Sequence, residues 1–295
     1  MAKIAVDLER ALERRADHGT PGRLAPRALA RGDGWGVSDV VCTSGPQDRA
    51  FEERHADYAI AVVVAGSFEY RSPLGRALMT PGSVMLGNPA QCYECGHEHA
   101  AGDRCVSFWF TPAYFERLAS DAGVRGRSRF RVGRLPPVRD LSPFAAEAAT
   151  AVSSGRDAPW EEFGLRLAGR AVTLASGIAP HAIALPPNAV SRVTRTIREI
   201  ERRSDERLTL GDLARESRLS PYHFLRTFER VAGVTPHQFI LRTRLRDAAV
   251  RIALEPDRIL DVALDAGFGD VSNFNRTFRS EFGVSPRQYR SITPR

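Results

Sequence analysis

FLRTFERVAGVTPHQF, residues Phe224 to Phe239, realigns on FNRTFRSEFGVSPRQY, residues Phe274 to Tyr289, at an offset of 50 with 8 of 16 positions identical. Unrelated segments of that length share about one position, so the two stretches are copies of one structural unit. The physics of the unit is readable in each copy. Upstream of the first, LTLGDLARES places Leu210, Leu213 and Ala214 at helical spacing, and a short turn through Arg218 and Leu219 leads to Ser220 and Pro221. Serine as an N-cap followed by proline in the first helical position is a strong helix start. The spacing then predicts a second helix from Pro221 to about Val231, burying Phe224, Phe228 and Val231.

The second copy follows the same plan. ILDVALDAG supplies an amphipathic helix with Ile259, Val262 and Ala263 inward, and Gly267 is placed to end it in a left-handed conformation. Asp270 caps a helix whose inner side is Phe274, Phe278 and Phe282. Each copy is therefore a helix-turn-helix. Between them, TPHQFILRTRLRDAAVRIALEP starts at a Thr235–Pro236 cap and stops at Pro256. Its roughly 19 helical residues make a rod of about 28 Å, comparable to the ~34 Å between successive major-groove faces on one side of B-DNA.

These residues resemble the DNA-binding domain of the AraC/XylS-type transcription regulators. The features carrying the likeness are the two units, the long linking helix, ALDAGFGD-x-S-N-F-x-R-x-F, and the ending GVSPRQY from Gly283, matched by GVTPHQF from Gly233. The likeness covers the last third of the chain. It implies that Tyr222, His223, Leu225 and Arg226 in the first unit, and Val271, Ser272, Asn273, Asn275 and Arg276 in the second, face DNA. Leu225 departs from the polar residue often found there and suits apolar contact with a thymine methyl. Arg226 and Arg276 are equivalent in the repeat and have the geometry for guanine or phosphate. The charge distribution agrees: residues 190–295 hold 20 arginines against 14 acids, most of the chain's net +7, while Lys3 is its single lysine.

The front of the chain reads differently. DYAIAVVVAGSFEYRS and GRALMTPGSVMLGNP run apolar or alternate in short stretches between turn residues, the pattern of a small barrel or jelly roll. This resembles the cupin-type effector domain of AraC relatives, with PGSVMLGNP, Pro81 to Pro89, as its recognisable strand. The fold class is thus multidomain: a mainly-β cupin-like barrel with helices, then an all-α double helix-turn-helix domain. The expected plan is an N-terminal arm or helix (1–34), the barrel (35–110), a helical segment (111–177), a proline-marked linker (178–190) and the DNA-binding domain (191–295). In the helical segment Phe163, Leu167, Ala171 and Leu174 form a stripe, read as core packing or, preferentially, as the surface of a homodimer.

QCYECGHEH, residues 91 to 99, concentrates metal-ligand chemistry in the barrel. As a strand it places Cys95, His97 and His99 on one face and Glu94 and Glu98 on the other. Cys92 or Cys105 then completes a set suited to zinc, although C-x2-C-x-H-x-H is not a zinc-finger spacing and the first histidine pair usual in cupins appears only as His55 and Asp57. Three readings stay open: a bound metal, a thiol redox or electrophile sensor stabilised by His97 and His99, or polar groups filling an organic-ligand pocket with His55, Tyr93 and Trp109.

No phosphate loop, nucleophile elbow or dinucleotide fingerprint is present, and with a DNA-binding domain attached an enzyme is not expected. Glu94 or Glu98 as general base at a zinc site is the remaining enzymatic reading, and an architectural DNA-binding protein is the other alternative. The expectation is a cytoplasmic, homodimeric regulator of promoter DNA, with RNA polymerase as a further partner if it activates.

Overall fold

The structure, a computed structural model, describes residues 3–123, 129–155, 157–178 and 187–293. Most of the expected linker, with Pro186, lies outside the described residues. The chain opens with helix α1 (Lys3–His18) and strands β1 (Leu24–Gly32), β2 (Trp35–Cys42), β3 (Phe51–Arg54), β4 (Tyr58–Gly66), β5 (Phe68–Ser72), β6 (Gly75–Met79), β7 (Val84–Gly87), β8 (Cys92–Gly96) and β9 (Asp103–Phe110). Helix α2 (Pro112–Asp121), the short strand β10 (Arg134–Leu135), α3 (Ser142–Ser154) and α4 (Trp160–Ser176) follow. The helical domain comprises α5 (Pro187–Arg202), α6 (Leu210–Glu216), α7 (Pro221–Ala232), α8 (Pro236–Leu254), α9 (Ile259–Asp265), α10 (Val271–Phe282) and α11 (Pro286–Ile292). Among the described residues no helix is long and apolar enough to cross a membrane.

The front strands form two sheets, ordered β1-β2-β9-β4-β7-β10 and β3-β8-β5-β6. They remain separate sheets, so the expectation of a closed barrel is corrected to an open two-sheet domain. β1 pairs with β2 in this assembly, which puts Leu24–Gly32 in the sheet and not in an N-terminal arm. Strand β4, YAIAVVVAG, explains the layering. Tyr58, Ile60, Val62 and Val64 face one core with Phe108, Phe110, Phe115 and the helices, while Ala59, Ala61 and Val63 face Phe68, Tyr70, Met79 and Cys105 between the sheets. A strand buried on both sides needs a continuous apolar run.

Phe163, Leu167 and Ala171 of α4 are buried in the first of these cores, with Leu174 at its edge. The stripe is therefore spent against the sheet, and its reading as a dimer surface is overturned. The same core includes a charged insertion. Arg104, buried on β9, donates from Nε to Asp39 Oδ1 on β2 at 2.9 Å, from Nη2 to Asp39 Oδ2 at 2.9 Å and from Nη1 to Asp7 Oδ2 on α1 at 2.9 Å. Burial alone would raise the Asp39 pKa, but hydrogen bonds and charge from Arg104 and Arg27 outweigh it and hold the carboxyl below its ordinary value.

In the helical domain the capping signals are where the sequence puts them. Ser220, Thr235, Asp270 and Ser285 each accept a hydrogen bond from the backbone three residues on. Phe224, Phe228, Phe274 and Phe278 are all buried. One detail differs from expectation. Leu210 is largely exposed, because it stands at the start of a short helix whose inner face is Leu213 and Ala214. The turn of the first unit is made by Arg218 at φ +55°, whereas the second uses Gly267 at φ +78°, where a Cβ would lie 2.4 Å from the Asp205 carbonyl oxygen. The first turn thus bears a left-handed non-glycine residue that the second avoids.

Asp39→Ala leaves Arg104 buried without its main partner and should destabilise the front domain by about 3–5 kcal/mol. Denaturant unfolding followed by tryptophan fluorescence measures this selectively, since Trp35, Trp109 and Trp160 all lie in that domain. Because the folded Asp39 pKa is depressed, the stabilisation is full above the unfolded value of ~3.9 and is lost as pH falls below it. A wild-type and variant difference that persists unchanged through acid pH would contradict the ion-pair account.

Candidate DNA-reading helices and a buried thiol–imidazole cluster

Helices α7 and α10 each turn two phenylalanines inward at i and i+4, and the remaining positions of the first two turns face outward. Tyr222, His223 and Arg226 are exposed and Leu225 is half-buried. On α10, Ser272, Asn273, Asn275 and Arg276 are exposed and Val271 is half-buried. Arg276 Nη2 donates to Asn273 Oδ1 at 3.2 Å, one turn away, and Ser220 and His223 are paired at the start of α7 at 3.2 Å.

A groove around the second unit adds residues that face analysis of one helix missed. Arg279, Ser285, Arg287 and Arg290 line it together with Asn275 and Arg276. Arg290 is anchored, donating to the carbonyls of Ile252 at 3.2 Å and Asp257 at 2.6 Å, while Arg279 and Arg287 are exposed. Arg279 stands one turn beyond Arg276, so helical spacing alone was the signal for it.

In the front domain, sheet register assembles a polar cluster. Cys42 on β2 lies directly opposite Asp103 on β9, and side chains of facing residues share one side of a sheet. Alternation carries Cys105 and Ser107 to that same side. From the second sheet come Tyr93 and Cys95, on adjacent inward positions of β8, and His97 just past its end. All of these line one cavity of about 130 Å³ between the sheets. At its end Gly66 pairs with Asp103 at φ +71°, and a Cβ there would stand 2.3 Å from the Gly102 carbonyl oxygen.

The contacts in the cluster are short. His97 Nε2 and Asp103 Oδ1 are 2.7 Å apart, and Cys105 Sγ donates to Asp103 Oδ2 at 3.3 Å. Cys42, His97 and Asp103, all buried, each offer a ligand atom within 4.8 Å of the others. Burial alone would lower the His97 pKa, but hydrogen bonding to Asp103 and Cys42, with their attraction, lifts it to about 9. Burial pushes the Cys95 and Cys105 thiols well up, and Asp103 adds to both.

The expected metal set is thus partly reassembled. Cys95, His97 and Cys105 come together; Cys92, half-buried, lies on the other side of β8, and His99 is exposed. The strand ends at Gly96, so alternation stops before it can bring His99 inward. Glu94 and Glu98 do share the outer side, where Arg71 bonds both; they are ion-paired away from the cluster and in no position to serve it as a general base. Cys42 and Asp103 are the members that sequence reading missed, because their place depends on strand register.

The pocket residues separate as well. His55 stacks on Tyr93 at 4.0 Å between ring centroids and pairs with Tyr70 Oη at 3.0 Å, and burial lowers its pKa to about 4. Trp109 is elsewhere, packed on Gly36 with the Arg31 guanidinium 5.4 Å from its ring centroid.

A family profile described as "Helix-turn-helix domain" matches residues 213–292. The chain is similar to the melibiose operon regulatory protein of Escherichia coli K12, 33% identical over 111 residues that cover 36% of this chain and 37% of that one. It is also similar to the HTH-type transcriptional activator AarP of Providencia stuartii, 31% identical over 91 residues that cover 31% of this chain and 67% of that one. Among solved structures, an AraC-type DNA-binding-domain regulator from Chromobacterium violaceum is 25% identical with a TM-score of 0.34, covering 35% of this chain and 93% of that one. The chain spans just over a third of the length of the melibiose regulator, and each of the three matches covers about a third of this chain.

Arg226→Ala and Arg276→Ala should each weaken binding to a specific duplex by about 1–3 kcal/mol. Arg287→Ala should weaken specific and nonspecific duplexes alike and flatten the salt dependence by about one unit of slope. Fluorescence anisotropy across a salt series separates the two classes. Equal loss on every sequence from Arg226→Ala and Arg276→Ala would remove them from base reading.

Proposed function

The chain belongs to the AraC-type family of helix-turn-helix transcription regulators, and we propose that it is a sequence-specific DNA-binding regulator controlled by its front domain. The observation that carries this reading is the matched placement of Arg226 and Arg276. Both are exposed on the second turn of a capped helix whose phenylalanines are spent on the core. A side chain there costs nothing to the fold and is presented for groove contact.

The two units share α8, so one molecule addresses two neighbouring half-sites on promoter DNA. Regulation then acts through the docking of those units on the front domain. Arg134 on β10 donates to the carbonyl of Val231 at the end of α7, at 2.8 Å, and to that of Leu78 on β6, at 2.7 Å. Ser142 on α3 and Arg242 on α8 both bond Glu281 on α10, at 2.5 and 3.0 Å. An effector that prefers one docked arrangement over another shifts the DNA affinity by its differential affinity for the two. Of the sensing chemistries, thiol oxidation is disfavoured at Cys95 and Cys105, whose thiols burial pushes well up. A cavity of about 130 Å³ also falls well short of the ~300–1,000 Å³ that organic ligands occupy.

A specific regulator keeps a defined footprint when nonspecific competitor is in large excess, since specific binding exceeds nonspecific by ~10³-fold or more. Nuclease footprinting of the full chain on a duplex enriched from a random-sequence library tests this. The expected protection covers two segments about one helical turn apart. A footprint that competitor erases would instead mark an architectural DNA binder.

A further inference from the structure

We propose that Cys42, His97, Asp103 and Cys105 form a site for a thiophilic divalent cation of the zinc type, and that its occupancy is relayed to the DNA-binding domain through the 97–103 segment. Nothing in the helix-turn-helix match extends to these residues, since it begins at residue 213.

The geometry is the first support. Zinc holds sulfur at ~2.3 Å and nitrogen or oxygen at ~2.0–2.2 Å, so the edges of its ligand tetrahedron measure about 3.3–3.7 Å. The cluster has the His97–Asp103 contact at 2.7 Å, the Cys105–Asp103 contact at 3.3 Å and three ligand atoms mutually within 4.8 Å. Small side-chain rotations convert such mutual hydrogen bonds into four bonds to a central ion. Two sulfurs, one nitrogen and one oxygen favour zinc over magnesium or calcium, which take oxygen ligands. On binding, Cys42 and Cys105 act as thiolates and His97 as a neutral imidazole, and their protons pass to solvent. Cys95 stands beside the set as a further thiol.

The second support is the cavity itself. Cys42, Cys95, His97, Asp103 and Cys105 all line one space of about 130 Å³ between the sheets, which leaves room for an ion at the centre of the set.

The relay is built from direct contacts. Ala100 N donates to the His97 carbonyl at 3.3 Å, closing the turn that carries the ligand, and Gly102 N donates to Ser44 O at 2.8 Å, just past Cys42. Arg198 on α5 donates from Nη2 to the Ala101 carbonyl at 2.8 Å. Val190 and Thr194 of α5 line a small hollow with His97, His99 and Ala100. Helix α5 in turn buries Val190, Val193, Ile197 and Ile200 in one core with Phe224 and Phe228 of α7. Drawing His97 and Asp103 onto an ion therefore resets the segment against which the DNA-binding domain rests. The relay presupposes the DNA-reading role proposed above; cation binding does not.

The full chain, stripped by chelator under reducing conditions, is titrated with Zn²⁺ by calorimetry and with Co²⁺ by absorbance. One equivalent should bind, with the sulfur-to-cobalt charge-transfer and tetrahedral d–d bands of a thiolate site. His97→Gln and Cys42→Ser should each weaken Zn²⁺ binding at least about 10-fold, while His99→Ala and Cys92→Ser should leave it unchanged. Wild-type protein that takes up no stoichiometric Zn²⁺ and shows no cobalt–thiolate band overturns the site, whatever the variants do.

For the relay, Zn²⁺ should change affinity for the library-enriched duplex at least about 5-fold. Arg198→Ala should keep metal affinity and lose most of that change. Zn²⁺ binding with equal DNA affinity in both states overturns the relay alone. Zn²⁺ binding with no DNA binding in either state overturns the proposed function and leaves the cation site standing.

Discussion

The structure turns on one helix that is buried from three directions. α8 contributes Phe239 and Ile240 to the core of the first helix-turn-helix unit and Leu245, Ala248, Ala249 and Ile252 to that of the second. It also places Val250 in the core that lies under the front sheet. A helix apolar on several sides has no free face to give to water, so the two DNA-reading units cannot be placed without also placing the front domain. The alanines of α3 permit this. SPFAAEAATAVSS buries Ala145, Ala146, Ala148 and Ala149, small side chains that let α3 approach α8 closely, and Ala146 joins the second unit's core directly.

How much of this was legible in the sequence depends on the range of the interaction that fixes it. The helix caps at Ser220, Thr235 and Asp270 and the Phe224–Phe228 and Phe274–Phe278 pairs are settled within one or two turns of chain, and local residues carried them. The third face of α8 was not legible, because Val250 and Arg246 look like any other members of a linking rod until the front domain is laid against them. The α4 stripe failed for the converse reason. Phe163, Leu167 and Ala171 announce a face that must be covered, and local pattern cannot say whether the cover is the chain's own sheet or a second copy.

The buried cluster shows the same division at the scale of a site. Strand alternation correctly separated Cys95 from Glu94 onto opposite faces, because period two is a property of the strand itself. It failed at His99 because β8 stops at Gly96, and an ending is set by what the next residues pack against. It could not find Cys42 and Asp103 at all. Their facing positions are a consequence of the β2–β9 register, which joins residues far apart in the chain. Register is specified by the whole apolar pattern of both strands, not by any motif near either residue.

The seam between the two domains has a chemistry of its own. Arg134, Arg198, Arg242 and Arg246 each reach across it to a backbone carbonyl, those of Val231, Ala101, Pro137 and Pro81. Burial lowers the pKa of Arg134 to about 10 and lowers that of Arg246 as well, although Asp247 and Glu201 offset part of the effect on Arg246, so both pay desolvation. Carbonyl acceptors return part of that cost; the Val231 carbonyl, at the negative end of α7, returns more than an isolated one. The seam also buries apolar groups, Val250 in the front core and Ala146 in the second unit's core, so the directional bonds add to that packing, and a small displacement of the acceptors removes their return while leaving the desolvation cost of the cations. The acceptors lie on or beside turns of the front domain and at the end of a recognition helix. Any displacement of those turns thus acts directly on the free energy that keeps the helix-turn-helix units docked.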